Sequence, residues 1–173
     1  WRLMADIGAL EIRGIEERYR REDFDCGEEA LNAYLRRYAR QNHEHNIART
    51  FVAVDAHDRV LGYYSLASAS IEFDSLPAAY AKRVPRYPVP AVRIARLAVD
   101  RSVKGEGLGG KLLADALQRI LTASSEVAVK VVLVDAKNKA AIEFYRHYGF
   151  MELTDAPKTL FLPIETVIKA AKS

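Results

Sequence analysis

Apolar and polar residues alternate with a period of two in Leu10-Glu-Ile-Arg-Gly-Ile15, which reads as a first strand. Asp25 stands where a helix N-cap is expected, with Glu28 placed to complete a capping box. Leu31, Tyr34, Leu35 and Tyr38 then recur at helical spacing, predicting a helix over about residues 27–43 with its aromatic stripe in the core. Thr50–Asp55, the turn Ala56-His-Asp-Arg59 and Val60–Ala67 read as a β-hairpin. Pro77, Pro85, Pro88 and Pro90 bracket a basic segment that should begin as a short helix and end extended. Val92–Val99 is the next strand, and it feeds a helix over Gly109–Ala123 whose Leu112, Leu113, Ala116, Leu117, Ile120 and Leu121 form a buried face. Val129–Val134 is almost continuously apolar, as expected of a strand covered on both faces. A helix over Lys137–Tyr148 should end at Gly149 in a left-handed cap. Phe150–Leu153, Lys158–Pro163 and a short terminal helix complete an α/β (α+β) order: β α β β, basic insertion, β α β α β β.

Composition agrees with a single domain over residues 1–173: half of the residues are hydrophobic and 28% are charged, enough for a real core. The lone cysteine, Cys26, excludes an internal disulfide framework and a cysteine-rich zinc site, and fits a small structural residue in a reducing cytoplasm. No stretch reaches the roughly 18 apolar residues that span a bilayer, and Trp1–Ile7 lacks the longer apolar region of a signal peptide. The expectation is a cytoplasmic protein with no membrane partner, and Met4 is a candidate natural start.

Net charge is only +3, but its distribution is uneven. Arg18, Arg20, Arg21, Arg36, Arg37, Arg40 and Arg49 crowd the first third, and Lys82, Arg83, Arg86, Arg93 and Arg96 crowd the segment before Leu97. Such arginines are ordinarily a solvated face; they also attract polyanions. His43-Glu-His45 lacks the i, i+4 spacing of a helical metal pair, so no metal is expected.

Gly105, Gly107, Gly109 and Gly110 sit where the strand turns into a helix, an arrangement that lets backbone N–H groups approach an anion at a positive helix end. Glycines there are also common in plain tight connections. Their spacing fails the Gly-x-Gly-x-x-Gly dinucleotide fingerprint, and Gly110-Lys111-Leu112 lacks the hydroxyl of a P-loop.

Lys104-Gly-Glu-Gly107-Leu-Gly109 resembles the Arg/Gln-x-x-Gly-x-Gly/Ala pyrophosphate loop of the GNAT acyl-CoA N-acetyltransferases. Asn138-Lys-Ala-Ala-Ile-Glu-Phe-Tyr145-Arg-His-Tyr-Gly149-Phe150 resembles that family's Asn-x-x-Ala-x-x-Phe-Tyr-x-x-x-Gly-Phe segment. The resemblance implies the GNAT fold, a mixed central sheet splayed at its fourth and fifth strands with helices on both faces, and acetyl-CoA as co-substrate. It further implies that Leu97, Ala98 and Val99 bond the pantetheine arm through their backbone. Lys104, Gly105, Gly107, Gly109 and Gly110 would hold the pyrophosphate, and Asn138 would contact the cofactor arm. Tyr145 would sit beside the thioester sulfur, as candidate general acid, because a phenol near pKa ~10 is protonated at neutral pH yet can donate to a forming thiolate. Lys104 departs from the usual Arg or Gln, and Glu106 adds an anion beside the phosphates.

Phe24-Asp-Cys-Gly27, Leu31-Asn-x-Tyr-Leu35, Arg49-Thr-Phe-Val52, Gly62-Tyr-Tyr-Ser-Leu66 and Arg96-Leu-Ala-Val-Asp100 together resemble the TacT-type GNAT toxins. That resemblance implies acetylation of the α-amine of aminoacyl-tRNA and a block of translation. It also implies a ribbon–helix–helix antitoxin as partner, operator DNA contacted only through that antitoxin, and a homodimer. An α-amine titrates near ~7.7–8.0, against ~10.4 for lysine, so it needs no strong general base, and the residues identify none beyond a weak candidate in Glu72. Lys82, Arg83, Arg86 and Arg93 would guide the acceptor stem. Two alternatives remain: an acetyltransferase for a protein N-terminus or small amine, and a non-catalytic regulatory partner of an antitoxin.

Overall fold

The structure is a computed structural model that describes residues 9–172; Met4 and the Trp1–Ile7 segment lie outside them. Seven strands form one sheet in the order β1-β2-β3-β4-β5-β7-β6. They are β1 (Glu11–Gly14), β2 (Arg49–Val54), β3 (Val60–Ile71), β4 (Val89–Val99), β5 (Val131–Asp135), β6 (Met151–Glu152) and β7 (Thr159–Pro163). The helices are α1 (Glu29–Ala33), α2 (Ala39–Glu44), α3 (Ala78–Ala81), α4 (Leu108–Ala123), α5 (Lys139–His147) and α6 (Ile164–Lys172), so the predicted element order holds. Pairing is mixed: β4 and β5 run parallel over Ala91–Ile94 and Val131–Val134, and the ladder ends there although β4 continues to Val99. No helix among the described residues is long and apolar enough to cross a membrane.

The chain divides into two compact units. The first comprises the residues up to Ala67 together with Arg96–Ala116, and the second comprises Ser68–Ala95 with the residues from Leu117 onward.

In the first unit β1 pairs antiparallel with β2, and β2 with β3. Its core gathers Ile15, Tyr19, Phe24, Cys26, Tyr34, Leu35, Val52 and Tyr63, with Tyr34 stacked on Tyr63 and Phe24 edge-on to it. The helical segment departs from the expectation at both ends of its stripe. Asp25 is not the N-cap: Glu28 occupies that position without a side-chain bond, while Asp25 Oδ1 accepts from Gly27 N–H (2.9 Å) and Asn32 Nδ2 (3.0 Å). A π-helical turn over Tyr34–Tyr38 joins α1 to α2. Its extra residue rotates the following face, so Ala39 is fully buried where the 3.6-residue period put Tyr38, and Tyr38 stands 53% exposed. Gly62 on β3 is the close-approach point for α4: a Cβ there would lie 3.0 Å from Leu112 Cδ1 and 3.1 Å from Leu108 Cδ2. Leu108, Leu112, Leu113 and Ala116 are all essentially inaccessible, which fixes the start of α4 firmly on the sheet.

In the second unit β5 lies between β4 and β7, and four consecutive valine and leucine positions, Val131–Val134, are fully buried. Burial from both sides explains why this strand shows no alternation. Its core includes Ile71, Leu76, Tyr80, Val89, Leu133, Leu153 and Phe161. β4 begins at Val89, before the expected Val92. Pro90 precedes the β5 ladder, which starts at Ala91, and its carbonyl accepts from Lys130 N–H (2.9 Å).

Candidate active site

The strand-to-helix junction of the first unit is anchored by a buried carboxylate. Asp100, 4% exposed, accepts from Asp25 N–H (2.9 Å), Ser102 N–H (3.0 Å) and Ser102 Oγ (2.6 Å), and its own N–H donates to Leu61 carbonyl. Burial works against its charge, but these bonds and the nearby Arg59 outweigh it and hold the carboxyl below its ordinary range. Asp100 thereby caps the 3₁₀ turn Arg101–Val103 and ties the end of β4 to the segment before α1.

Beyond that anchor lies the candidate glycine loop. Gly105 and Gly107 adopt φ +79° and +90°, the left-handed region that side chains resist, and a Cβ at either would meet nothing within 4 Å. The space over both residues is therefore open. Gly109 and Gly110 lie in the first turn of α4. The first bond of that helix runs from Lys111 N–H to Gly107 carbonyl (3.1 Å), leaving the N–H groups of Leu108, Gly109 and Gly110 ahead of it at the positive end of a 16-residue helix. An anion of phosphate chemistry fits these donors. Lys104 is exposed, and its ammonium lies beside Gly27 together with the Arg101 guanidinium. Leu97 and Val99 are half-buried and flank buried Ala98 on β4.

The candidate side chains Asn138 and Tyr145 lie in the second unit. α5 starts at Asn138, whose Oδ1 accepts from Ala141 N–H (2.9 Å), so this residue acts first as an N-cap. The helix ends in a Schellman motif: Phe150 N–H donates to Tyr145 carbonyl, Gly149 N–H to Arg146 carbonyl, and Gly149 sits at φ +94°. Tyr145, one turn from that end, is 5% exposed and packs edge-on against Phe144 and Phe150. Burial, and then the Asp135 charge, push its phenol well above the ordinary tyrosine value. Its proton is held at every physiological pH.

The basic residues separate into two groups. Lys82, Arg83 and Arg86 are exposed after α3, and Arg86 lies over the Phe73 ring at 5.4 Å. Arg93 is bound instead to Asp135, with Nη1 2.7 Å from both carboxylate oxygens, while Thr159 Oγ1 donates to the same carboxylate (3.1 Å). In the first unit Arg36, Arg40 and Arg101 pair with Glu29, Glu44 and Asp25, and Arg96 lies over Tyr34 at 3.6 Å. His43 Nδ1 accepts from Thr50 N–H, and burial, then Arg49, lower its pKa. Among the described residues no cluster of His, Cys, Asp or Glu could hold a metal.

Periodicity missed Asp100, Gly62 and the Arg96–Tyr34 contact. Only Asp100 carried a usable signal, a carboxylate two residues before Ser102 at a strand end.

A family model described as the acetyltransferase (GNAT) domain matches residues 46–152. This chain belongs to the GNAT acetyltransferases. Within them it is 39% identical to a tRNA-acetylating toxin of Mycobacterium tuberculosis (strain ATCC 25618 / H37Rv) over 73% of this chain and 75% of that protein. It is 32% identical to a probable toxin TacT of Sinorhizobium fredii (strain NBRC 101917 / NGR234), over 95% and 97% of the two. Among solved structures it resembles AtaT complexed with acetyl-methionyl-tRNAfMet, with TM-score 0.88, 33% identity and coverage of 95% and 99%. It also resembles a tyrosine-to-phenylalanine variant of AtaT bound to the C-terminus of the antitoxin AtaR and acetyl-CoA, with TM-score 0.83, 31% identity and the same coverage. A GNAT toxin architecture thus accounts for nearly the whole chain.

Proposed function

We propose that this GNAT acetyltransferase moves the acetyl group of acetyl-CoA onto the α-amine of aminoacyl-tRNA, working as one domain and blocking translation. The observation that carries the reading is the likeness, over 95% of the chain, to a toxin solved with an acetylated aminoacyl-tRNA. The open left-handed glycines ahead of α4 support the cofactor half of the reading.

Acetyl-CoA supplies a thioester carbonyl open to attack by an amine and a thiolate able to leave. In the first unit, the N–H groups at Gly105, Gly107, Gly109 and Gly110 bind the pyrophosphate, with Lys104 adding charge, and the backbone of Leu97, Ala98 and Val99 orients the pantetheine. In the second unit, Asn138 meets the cofactor arm through the amide nitrogen that capping leaves unused, and Tyr145 Oη gives its proton to the departing thiolate. The α-amine attacks in its neutral form and afterwards loses a proton to water. Lys82, Arg83 and Arg86 draw in the acceptor stem by charge, whereas Arg93, held by Asp135, stands in reserve. A ribbon–helix–helix antitoxin, operator DNA reached through it, a homodimer and a cytoplasmic setting complete the reading.

The test is transfer of labelled acetyl from acetyl-CoA into bulk aminoacyl-tRNA, beside uncharged tRNA and a lysine peptide. Label in charged tRNA alone is expected. Label in the peptide alone would make the protein a peptide acetyltransferase.

A further inference from the structure

We infer that Tyr87 is a stacking platform for an unpaired nucleotide at the acceptor end of the tRNA, an inference that rests on the substrate proposed above. At 72%, Tyr87 is the most exposed large hydrophobic side chain among the described residues. Its backbone is constrained on both sides: Pro85 and Pro88 fix φ, and Tyr87 N–H closes a three-residue turn onto Pro85 carbonyl (2.9 Å). The ring is thus presented from a proline-bracketed turn. With Val84, Pro85, Pro88, Val129 and Ile164 it lines a groove of about 520 Å³, within the range of clefts that take a small-molecule-sized group.

Charge selects the occupant. Lys82, Arg83 and Arg86, which precede Tyr87 in the chain, are exposed, and none forms an ion pair with a described acidic residue. The groove's charged lining residue, Lys130, is paired with Glu165 at 3.4 Å. A second copy of the chain docking symmetrically would bring like charges together. A polyanion with an exposed aromatic face meets both the cations and the ring. Duplex bases cannot offer that face because they are already stacked, so the ligand is an unpaired end, and the amino acid to be acetylated sits on such an end.

The experiment is a double-mutant cycle on the full chain. Binding of uncharged tRNA, whole or trimmed of its unpaired acceptor end, is measured for wild type, Tyr87→Ala, Tyr87→Phe and Tyr87→Leu, with melting curves confirming that each variant is folded. Tyr87→Ala should weaken whole tRNA about tenfold, in line with the loss of one base–aromatic stack. It should leave trimmed tRNA and acetyl-CoA binding unchanged, and Tyr87→Phe should restore wild-type affinity where Tyr87→Leu does not. Equal losses with whole and trimmed tRNA, full rescue by leucine, or unchanged binding of whole tRNA by Tyr87→Ala would each overturn the inference. Acetylation of aminoacyl-tRNA by wild type is scored separately. If it fails while Tyr87-dependent tRNA binding persists, the substrate reading falls and the platform stands; if it succeeds with Tyr87 indifferent, the reverse holds.

Discussion

In the proposed reading the two units contribute in different ways: the first offers chiefly backbone donors, and the second offers side chains, the Tyr145 phenol above all. Around Gly105–Gly110 the useful groups are N–H donors whose direction is set by left-handed glycines, the α4 dipole and the Asp100 anchor. The identity of neighbouring side chains matters little there, which is why Lys104 in place of Arg or Gln and an intervening Glu106 leave the cradle intact. At Tyr145 the backbone is an ordinary helix end, and the proposed proton transfer rests on a phenol packed between Phe144 and Phe150. A donor set made of backbone fails through conformation; a side-chain donor fails through chemistry.

Tyr145→Phe should separate these modes most sharply. The ring and its packing survive, so stability and acetyl-CoA affinity should hold while kcat falls by about 10²–10⁴-fold, the scale of a lost general acid. Steady-state kinetics beside a melting curve check both halves. Asp100→Ala acts oppositely, orphaning donors at Asp25 and Ser102. It should cost about 2–4 kcal/mol and lower Tm by about 10 °C in calorimetry. The same carboxyl, depressed in the folded state, contributes stability that is complete above its unfolded pKa and is lost as pH falls through the folded value; the variant should lack that acid-side loss.

Gly107→Ala is a purer backbone test, since its methyl meets nothing and only the left-handed strain of about 1–2 kcal/mol remains. KM for acetyl-CoA should rise about tenfold with kcat nearly unchanged. A smaller contrast lies within the basic residues. Replacing Lys82, Arg83 and Arg86 by alanine should reduce the salt dependence of tRNA binding, by roughly 0.7–0.9 per lost phosphate contact in log–log slope. Arg93→Ala, which frees Asp135 rather than a phosphate site, should change it by less than about one such contact. Finally, kcat/KM should climb as the α-ammonium loses its proton near ~7.7–8.0 and should show no loss from Tyr145 up to about pH 10. A fall there would mean that the phenol is less sheltered than its burial implies.

Much of this was legible before any coordinates. The hairpin, the β4–loop–α4 junction and the apolar β5 follow from local periodicity, because burial there obeys a simple period of two or 3.6. The misread positions are those where a side chain bonds at a distance or the backbone breaks period. The π turn moved burial from Tyr38 to Ala39, Asp25 turned to Gly27 and Asn32 instead of capping, and Arg93 found Asp135, 42 residues on. Tyr87 escaped notice because an exposed aromatic leaves no periodic trace. The glycine cluster at the strand-to-helix junction marked a candidate anion cradle, yet only their φ angles separate Gly105 and Gly107 from Gly109 and Gly110, which serve as helix residues.

The central claim is that the acetyl group ends on the α-nitrogen of an amino acid esterified to tRNA. Mass spectrometry of amino acids released by mild base from tRNA treated with wild-type protein and acetyl-CoA tests it directly. The account predicts Nα-acetyl amino acids that vanish with Tyr145→Phe. Acetyl on lysine side chains, on nucleobases, or on no amino acid at all despite bound acetyl-CoA would contradict it.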